Sequence, residues 1–300
     1  MKAGKYFSRP IFWSVIVLSI SLIIGCGESE TKTRVVNGGV VGIETARKPL
    51  IAVQLWSVRE ALKEDFEGTL KALADQGFDG VEFAGYFGTY VDRPADLKDF
   101  LTSIDLTASG AHVPFAQLDQ AFPETVVFYQ KLGIDTLIIP LDERAFDNAG
   151  VDALVDDLVL LSERMKPLGM KIGYHNHAQE WSEFGEKTYF EYIGDRTPAS
   201  VVLQQDVGWT LAAGQDPIAF TEGYPGRILT THFKSPARER REHTPIIGLD
   251  GISWDAIYES AVEIGGAEWI VIEQEEYPDG LTPLESVARS KAGFDAAISN

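Results

Sequence analysis

The chain holds one cysteine, Cys26, and only five histidines, and its 26 lysines and arginines are outnumbered by 45 aspartates and glutamates. A single cysteine excludes an internal disulfide and a thiolate-rich metal cluster, so any metal must be held by imidazole and carboxylate. The acidic excess argues against a nucleic-acid partner, because displacing counterions from phosphates requires a cationic surface. The formal net charge of -19 becomes -22 once the first 25 residues, which carry Lys2, Lys5, Arg9 and no acid, are set aside. Long apolar runs are scarce too. With 45% apolar and 24% charged residues among 300, the composition is that of a folded chain with room for one large domain.

The amino terminus carries the clearest short signal. After the basic residues comes Ile11 to Ile24, an uncharged and mostly apolar run of 14 residues, short for a membrane span but suited to a signal peptide. It closes on Ile23-Ile24-Gly25-Cys26, which resembles a bacterial lipobox. The expectation is a leader over residues 1–25, lipidation at Cys26, a flexible tether over residues 26–48 and a folded domain over residues 49–300. The protein would then sit outside the cytoplasm, tied to a bacterial membrane only through its lipid.

From Pro49 the sequence alternates short apolar runs with helical periodicity. Strands are predicted over Leu50 to Leu55, Gly80 to Phe83, Leu106 to His112, Thr136 to Pro140, Lys171 to His175, Val201 to Asp206, Ile228 to Phe233 and Trp269 to Glu273. Helical spacing lies between them, as in Val151, Leu154, Val155, Leu158 and Leu161. Pro123 and the Thr282-Pro283 pair with Glu285 read as helix starts, and Gly77, Gly133, Gly169 and Gly265 as helix ends. Strands this apolar need cover on both faces, which helices on a parallel sheet provide. Eight units in about 250 residues predict a closed (β/α)8 TIM barrel, a single α/β domain. An open dinucleotide-binding sheet would carry a glycine-rich loop after its first strand, and Gln54 to Arg59 contains no glycine.

In such a barrel chemistry gathers at the carboxyl ends of the strands. Four of the five histidines (His112, His175, His177 and His232) fall there, with Glu82, Asp206 and Glu273 placed alike. A charged group closing a buried strand is unfavourable unless paired or metal-bound. Neighbouring strands stand about 4.8 Å apart, so His175, Asp206, His232 and Glu273, one per strand from the fifth to the eighth, can converge on a single ion. That donor set suits Mn2+ or Zn2+ first, with Fe2+ or Co2+ in the same class. A hydrogen-bonded polar layer without metal is the alternative.

Six segments in register also carry a family resemblance: Gln54 to Arg59, Gly80 to Phe83, Gly173 to His177 with Glu180, Asp206 to Trp209, Gly226 to Lys234 and Ile272 to Gln274. They resemble the sugar phosphate isomerase/epimerase family of xylose isomerase-like barrels. In its keto-sugar epimerases four strand-end residues of type Glu, Asp, His and Glu bind a divalent ion, and Asp206, His232 and Glu273 match three of them. His175 stands where that pattern has a Glu that also acts as one of two proton-transfer bases, so the two-base mechanism does not carry over intact. Ser235 replaces a common Asp. The resemblance also allows a homodimer.

The expected chemistry is proton abstraction next to a carbonyl through an enediolate, the ion acting as Lewis acid. His177 and Glu273 are the proton-transfer candidates and Lys234 an oxyanion support; His177 serves equally well as a partner to a ligand or a substrate hydroxyl, and Lys234 as a surface lysine paired with a carboxylate. Glu82 and His112 are expected on sugar hydroxyls, with a structural hydrogen bond at the barrel rim as the alternative, and Glu180, a loop acid beyond the strand, is a further substrate-binding candidate. Of the loop aromatics, Trp56 and Trp181 are expected to stack on a sugar ring. An extracytoplasmic site implies an unphosphorylated sugar or keto-sugar. Isomerisation or epimerisation is the first expectation, elimination from a 3-keto-glycoside by a lyase or hydratase the second, and a non-catalytic carbohydrate-binding lipoprotein the third. The barrel also resembles metal-dependent apurinic endonucleases, but five histidines, the acidic charge and the lipobox oppose that activity.

Overall fold

The computed structural model describes residues 35–36, 39–40, 48–236 and 244–299. The expected leader, Cys26 and His243 lie outside the described residues. Of the expected tether, the described part includes a two-residue antiparallel ladder, Val35 opposite Val40 and Val36 opposite Gly39. No helix among the described residues is long and apolar enough to cross a membrane.

Residues 47–300 form one compact unit. Eight parallel strands build it: β1 Leu50–Gln54, β2 Gly80–Phe83, β3 Thr107–His112, β4 Thr136–Ile139, β5 Lys171–His175, β6 Val201–Gln204, β7 Thr230–Phe233 and β8 Trp269–Ile272. They are hydrogen-bonded in the order β6-β5-β4-β3-β2-β1-β8-β7. A single parallel bridge between Asp206 and His232 closes the ring, with His232 N donating to Gln205 O at 2.9 Å. The closing seam therefore passes through two of the residues expected to bind metal. This is the single α/β TIM barrel that the alternation of strand and helix predicts.

Helices cover the outer face of the sheet: α1 Phe66–Asp75, α2 Pro94–Ser103, α3 Phe122–Leu132, α4 Val151–Met165, α5 Tyr189–Arg196, α6 Pro217–Gly223, α7 Trp254–Glu263 and α8 Pro283–Ala297. In α4 the periodic residues Val151, Leu154, Val155, Leu158 and Leu161 are all buried, each stabilising the fold by roughly 1.5–3 kcal/mol. Thr282 and Glu285 form the reciprocal capping box expected at α8. Gly133 ends α3 at φ 93°, a left-handed conformation that an L side chain disfavours. At the end of α7 that conformation falls on Gly266 rather than the expected Gly265.

The strands stop earlier than predicted where function gathers. Asp206 lies past β6 and is the N-cap of a short helix, Val207–Ala212, its side chain accepting from Trp209 N. Glu273 likewise follows β8 directly. A polar side chain ending an apolar run leaves the ladder as soon as the chain turns outward.

Candidate metal centre and acid-base groups

Donor atoms of Asp206, His232 and Glu273, from the ends of β6, β7 and β8, all lie within 4.8 Å of one another. Glu273 Oε2 is 3.1 Å from His232 Nδ1, and Asp206 Oδ2 is 4.0 Å from the same nitrogen. His175 Nε2 reaches Asp206 Oδ2 at 3.9 Å, and the His175 ring also groups with those of His112 and His232. Three of the four expected ligands thus form one tight set, and the fourth touches it through Asp206.

Asp206 is held rigidly. Its backbone N–H donates to Asn176 Oδ1 at 2.9 Å, and its Oδ1 accepts from Trp209 N at 2.8 Å. Its Oδ2 is buried and accepts no hydrogen bond, although the Lys234 ammonium stands 3.2 Å away. A buried carboxylate oxygen that faces two imidazoles and a second carboxylate, with Lys234 at its edge, fits a divalent ion: His175, Asp206, His232 and Glu273 would hold it. This buried His/Asp/Glu cluster is consistent with a divalent metal site.

Lys234 sits at the edge of the set, buried, 2.9 Å from Glu275 Oε2, 3.4 Å from Glu273 Oε2 and 4.4 Å from the centre of the Trp209 ring. Its backbone approaches the short helix after Asp206 so closely that a Cβ on Gly208 would lie 2.6 Å from Lys234 O. A cleft of about 220 Å3 opens here, lined by Trp209, Lys234, Pro245, Glu273 and Glu275 among others. His177 packs beside His175 and Trp209, and its Nδ1 is buried without a partner.

Below these groups lies a second polar layer. Glu82 Oε2 meets His232 Nε2 at 2.6 Å and accepts from Gln54 Nε2 at 2.7 Å, while Glu82 Oε1 accepts from Gln204 Nε2 at 2.7 Å. Gln204 Oε1 faces His112 Nε2 at 2.7 Å and His175 Nδ1 at 3.1 Å.

Burial disfavours charge throughout, and neighbours decide which groups keep it. Burial pulls His177 down to about 4, with the Lys234 charge adding to the effect, so its imidazole is neutral at physiological pH. His175 is driven well below the ordinary histidine value by burial and by the surrounding cationic groups. For His232 burial is outweighed by Glu82 and Glu273, which hold it up at about 10. Burial raises Asp206 to about 6 against the pull of Lys234. Burial also opposes ionisation of Glu273 and Lys234, but Lys234 and His232 lower the first, and Asp206, Glu273 and Glu275 raise the second. His177 is therefore neutral and Lys234 protonated at physiological pH.

Several expected substrate contacts have other surroundings. Glu82 is fully buried, with both oxygens engaged by side chains of the protein. Glu180 is fully buried as well and accepts from Tyr174 Oη and from His177 N, both at 2.8 Å, so it braces the turn after β5. Trp181 is buried between Phe190 and Phe220 and presents no stacking face. Trp56 is 46% exposed, carries the Arg59 guanidinium 4.4 Å from its ring and lines a separate groove with Tyr86. His112 stays half-buried at the edge of the lower layer. Ser235 donates to Asp250 Oδ2. Sequence reading missed Gln54, Gln204, Asn176 and Glu275. The first two are polar residues closing apolar strands, the same signal that marked the histidines and acids.

Comparison with known proteins gives these groups a setting. The xylose isomerase-like TIM barrel family matches residues 70–295. An inosose dehydratase of Lacticaseibacillus casei is 27% identical over 270 residues, covering 75% of this chain and 89% of that protein. A sugar phosphate isomerase/epimerase structure from Parabacteroides distasonis aligns with a TM-score of 0.71 at 24% identity, over 86% of this chain and 98% of the other. The IOLI protein, solved with a zinc atom, aligns with a TM-score of 0.64 at 17% identity, over 83% of this chain and 98% of the other.

Proposed function

The chain belongs to the xylose isomerase-like TIM barrel family, and we propose that it is a divalent-metal-dependent lyase that removes water from a neutral polyhydroxy ketone. The observation that carries this reading is geometric: His177, its Nδ1 buried without a partner, packs beside His175, and the Lys234 ammonium stands 3.2 Å from Asp206 and 3.4 Å from Glu273 in the same set as His232. When bound there, a divalent ion supplies Lewis-acid polarisation of the substrate carbonyl. His177 takes the proton from the carbon next to that carbonyl. Lys234 gives a proton to the hydroxyl on the following carbon as its C–O bond breaks, and water leaves. The inosose dehydratase relatives act on a substrate class of this kind by their names.

Isomerisation or epimerisation, expected first from sequence, begins with the same abstraction. Epimerisation needs a second base on the opposite face, and the group left for it, Glu273, is tied to His232 and Lys234. This supports elimination over epimerisation in our reading.

The test is incubation with inososes and with free ketoses in D2O, with Mn2+ or Zn2+ added. The expected result is loss of water from one of them, abolished by EDTA. Deuterium entry or epimer formation without water loss favours the isomerase reading instead. Sugar binding that EDTA leaves untouched, with no exchange, favours a carbohydrate-binding protein that has lost turnover.

We propose in addition that residues 1–25 are a lipoprotein leader, residues 26–48 a tether and Cys26 the lipidated residue, with the barrel outside the cytoplasm. Cys26→Ser is expected to abolish metabolic labelling by palmitate and move the protein out of the membrane fraction.

A further inference from the structure

We infer that Gln54, Glu82 and Gln204 are a positioning layer, which sets the ring nitrogen that His232 and His175 each turn toward the ion and leaves the substrate untouched. The inference rests on the metal-dependent reading above and adds to it how the ligands are oriented.

A neutral imidazole offers a lone pair from one nitrogen only, and the hydrogen bond made by the other decides which. His232 Nε2 lies 2.6 Å from Glu82 Oε2. An ionised carboxylate only accepts, so Nε2 carries the hydrogen, and a neutral ring turns its lone pair at Nδ1 toward Glu273 and Asp206. His175 is set by the same logic through an amide. Gln204 Nε2 donates to Glu82 Oε1 at 2.7 Å and to Thr230 Oγ1 at 3.2 Å, which fixes Oε1 as the end facing the histidines. His175 Nδ1, 3.1 Å from that Oε1, then carries the hydrogen, and Nε2 remains as the donor atom 3.9 Å from Asp206 Oδ2. Gln54 completes the layer: its Nε2 donates to Glu82 Oε2, and its Oε1 accepts from Trp56 N at 3.2 Å. All three residues are fully buried, and every polar side-chain atom they own has a partner inside the protein. A substrate hydroxyl would have to break one of these bonds to enter. Residues that brace metal-binding histidines in this way typically contribute 10–100-fold to metal affinity.

The experiment compares wild type, Glu82→Gln and Gln54→Met, each stripped of metal and then titrated with Co2+ alone, with Zn2+ competition for the dissociation constant. Circular dichroism and the melting temperature of the stripped proteins check folding. The expected result is a Co2+ Kd raised roughly 10–100-fold in Glu82→Gln, with an altered visible Co2+ absorption band. Gln54→Met, which loosens Glu82 without touching a histidine, is expected to shift the Kd a few-fold in the same direction, and it stands as the test if Glu82→Gln fails to fold. Variants that bind Co2+ within twofold of wild type and with its spectrum overturn the positioning layer alone. Unchanged metal binding with a raised KM overturns it too and makes Glu82 a substrate contact. Wild type that takes up neither ion overturns both this inference and the metal-dependent reading.

Discussion

Two polar layers cross the barrel, and His232 belongs to both. In the lower layer of Gln54, Glu82 and Gln204, each side-chain oxygen and nitrogen is paired. In the upper layer His177 Nδ1 and Trp209 Nε1 are buried without a hydrogen-bond partner, and Asp206 Oδ2 faces the Lys234 ammonium at 3.2 Å. Buried polar atoms without a partner are unfavourable by about 1–3 kcal/mol each, so folding alone gives no reason to collect His177 Nδ1 and Trp209 Nε1 at one mouth. The saturated layer is built for stiffness, and the unsaturated one is shaped for something that arrives later.

Removing Asp206 should separate the layers most sharply. Asp206→Ala is expected to lose the bound ion, measured by elemental analysis, and with it roughly 1,000-fold or more in turnover, because several kcal/mol of carbonyl polarisation disappear. A variant that keeps both ion and rate moves the metal centre elsewhere. His177→Ala should retain the ion and lose roughly 100-fold in turnover, as expected for a missing base; equal loss of metal would make His177 a ligand instead.

A milder contrast comes from pH. In metal-free protein His232 is held at about 10 against an ordinary 6.5. Its stabilising charge pairs with Glu82 and Glu273 are complete below pH 6.5 and fade as the pH rises toward 10, an effect on the order of a few kcal/mol. The melting temperature of stripped wild type should therefore fall over that window more steeply than that of His232→Asn. Parallel curves would mean that the pairing contributes little. Smallest in activity is Trp181→Leu, expected to lower stability by roughly 1–3 kcal/mol through lost packing while kcat and KM stay within twofold. A raised KM there would restore Trp181 as a substrate contact.

Much of this was legible in the chain. The eight apolar runs mark the strands to within a residue or two, and the capping box at Thr282 and the turn at Gly133 stand where their chemistry requires. The charged residues at strand ends mark the region of the site. The lower layer was not legible, because attention to ionisable residues passes over Gln54 and Gln204, whose amides close apolar strands just as the histidines do. Glu82 sits at the expected place in the chain, yet whether its side chain faces the mouth or the interior depends on a neighbour 150 residues away, His232; Glu180 and Trp181 are turned inward by the tight turn after β5, against Tyr174 and between Phe190 and Phe220.

The sequence by itself determined the alternation of strand and helix and the types of donor available, since both follow from local periodicity and residue chemistry. The tertiary structure alone decided which donors meet. Closure of the ring at Asp206 and His232 brings β6, β7 and β8 to one level, and burial then lets neighbouring charges choose which groups stay ionised, a choice that no local stretch of chain can make.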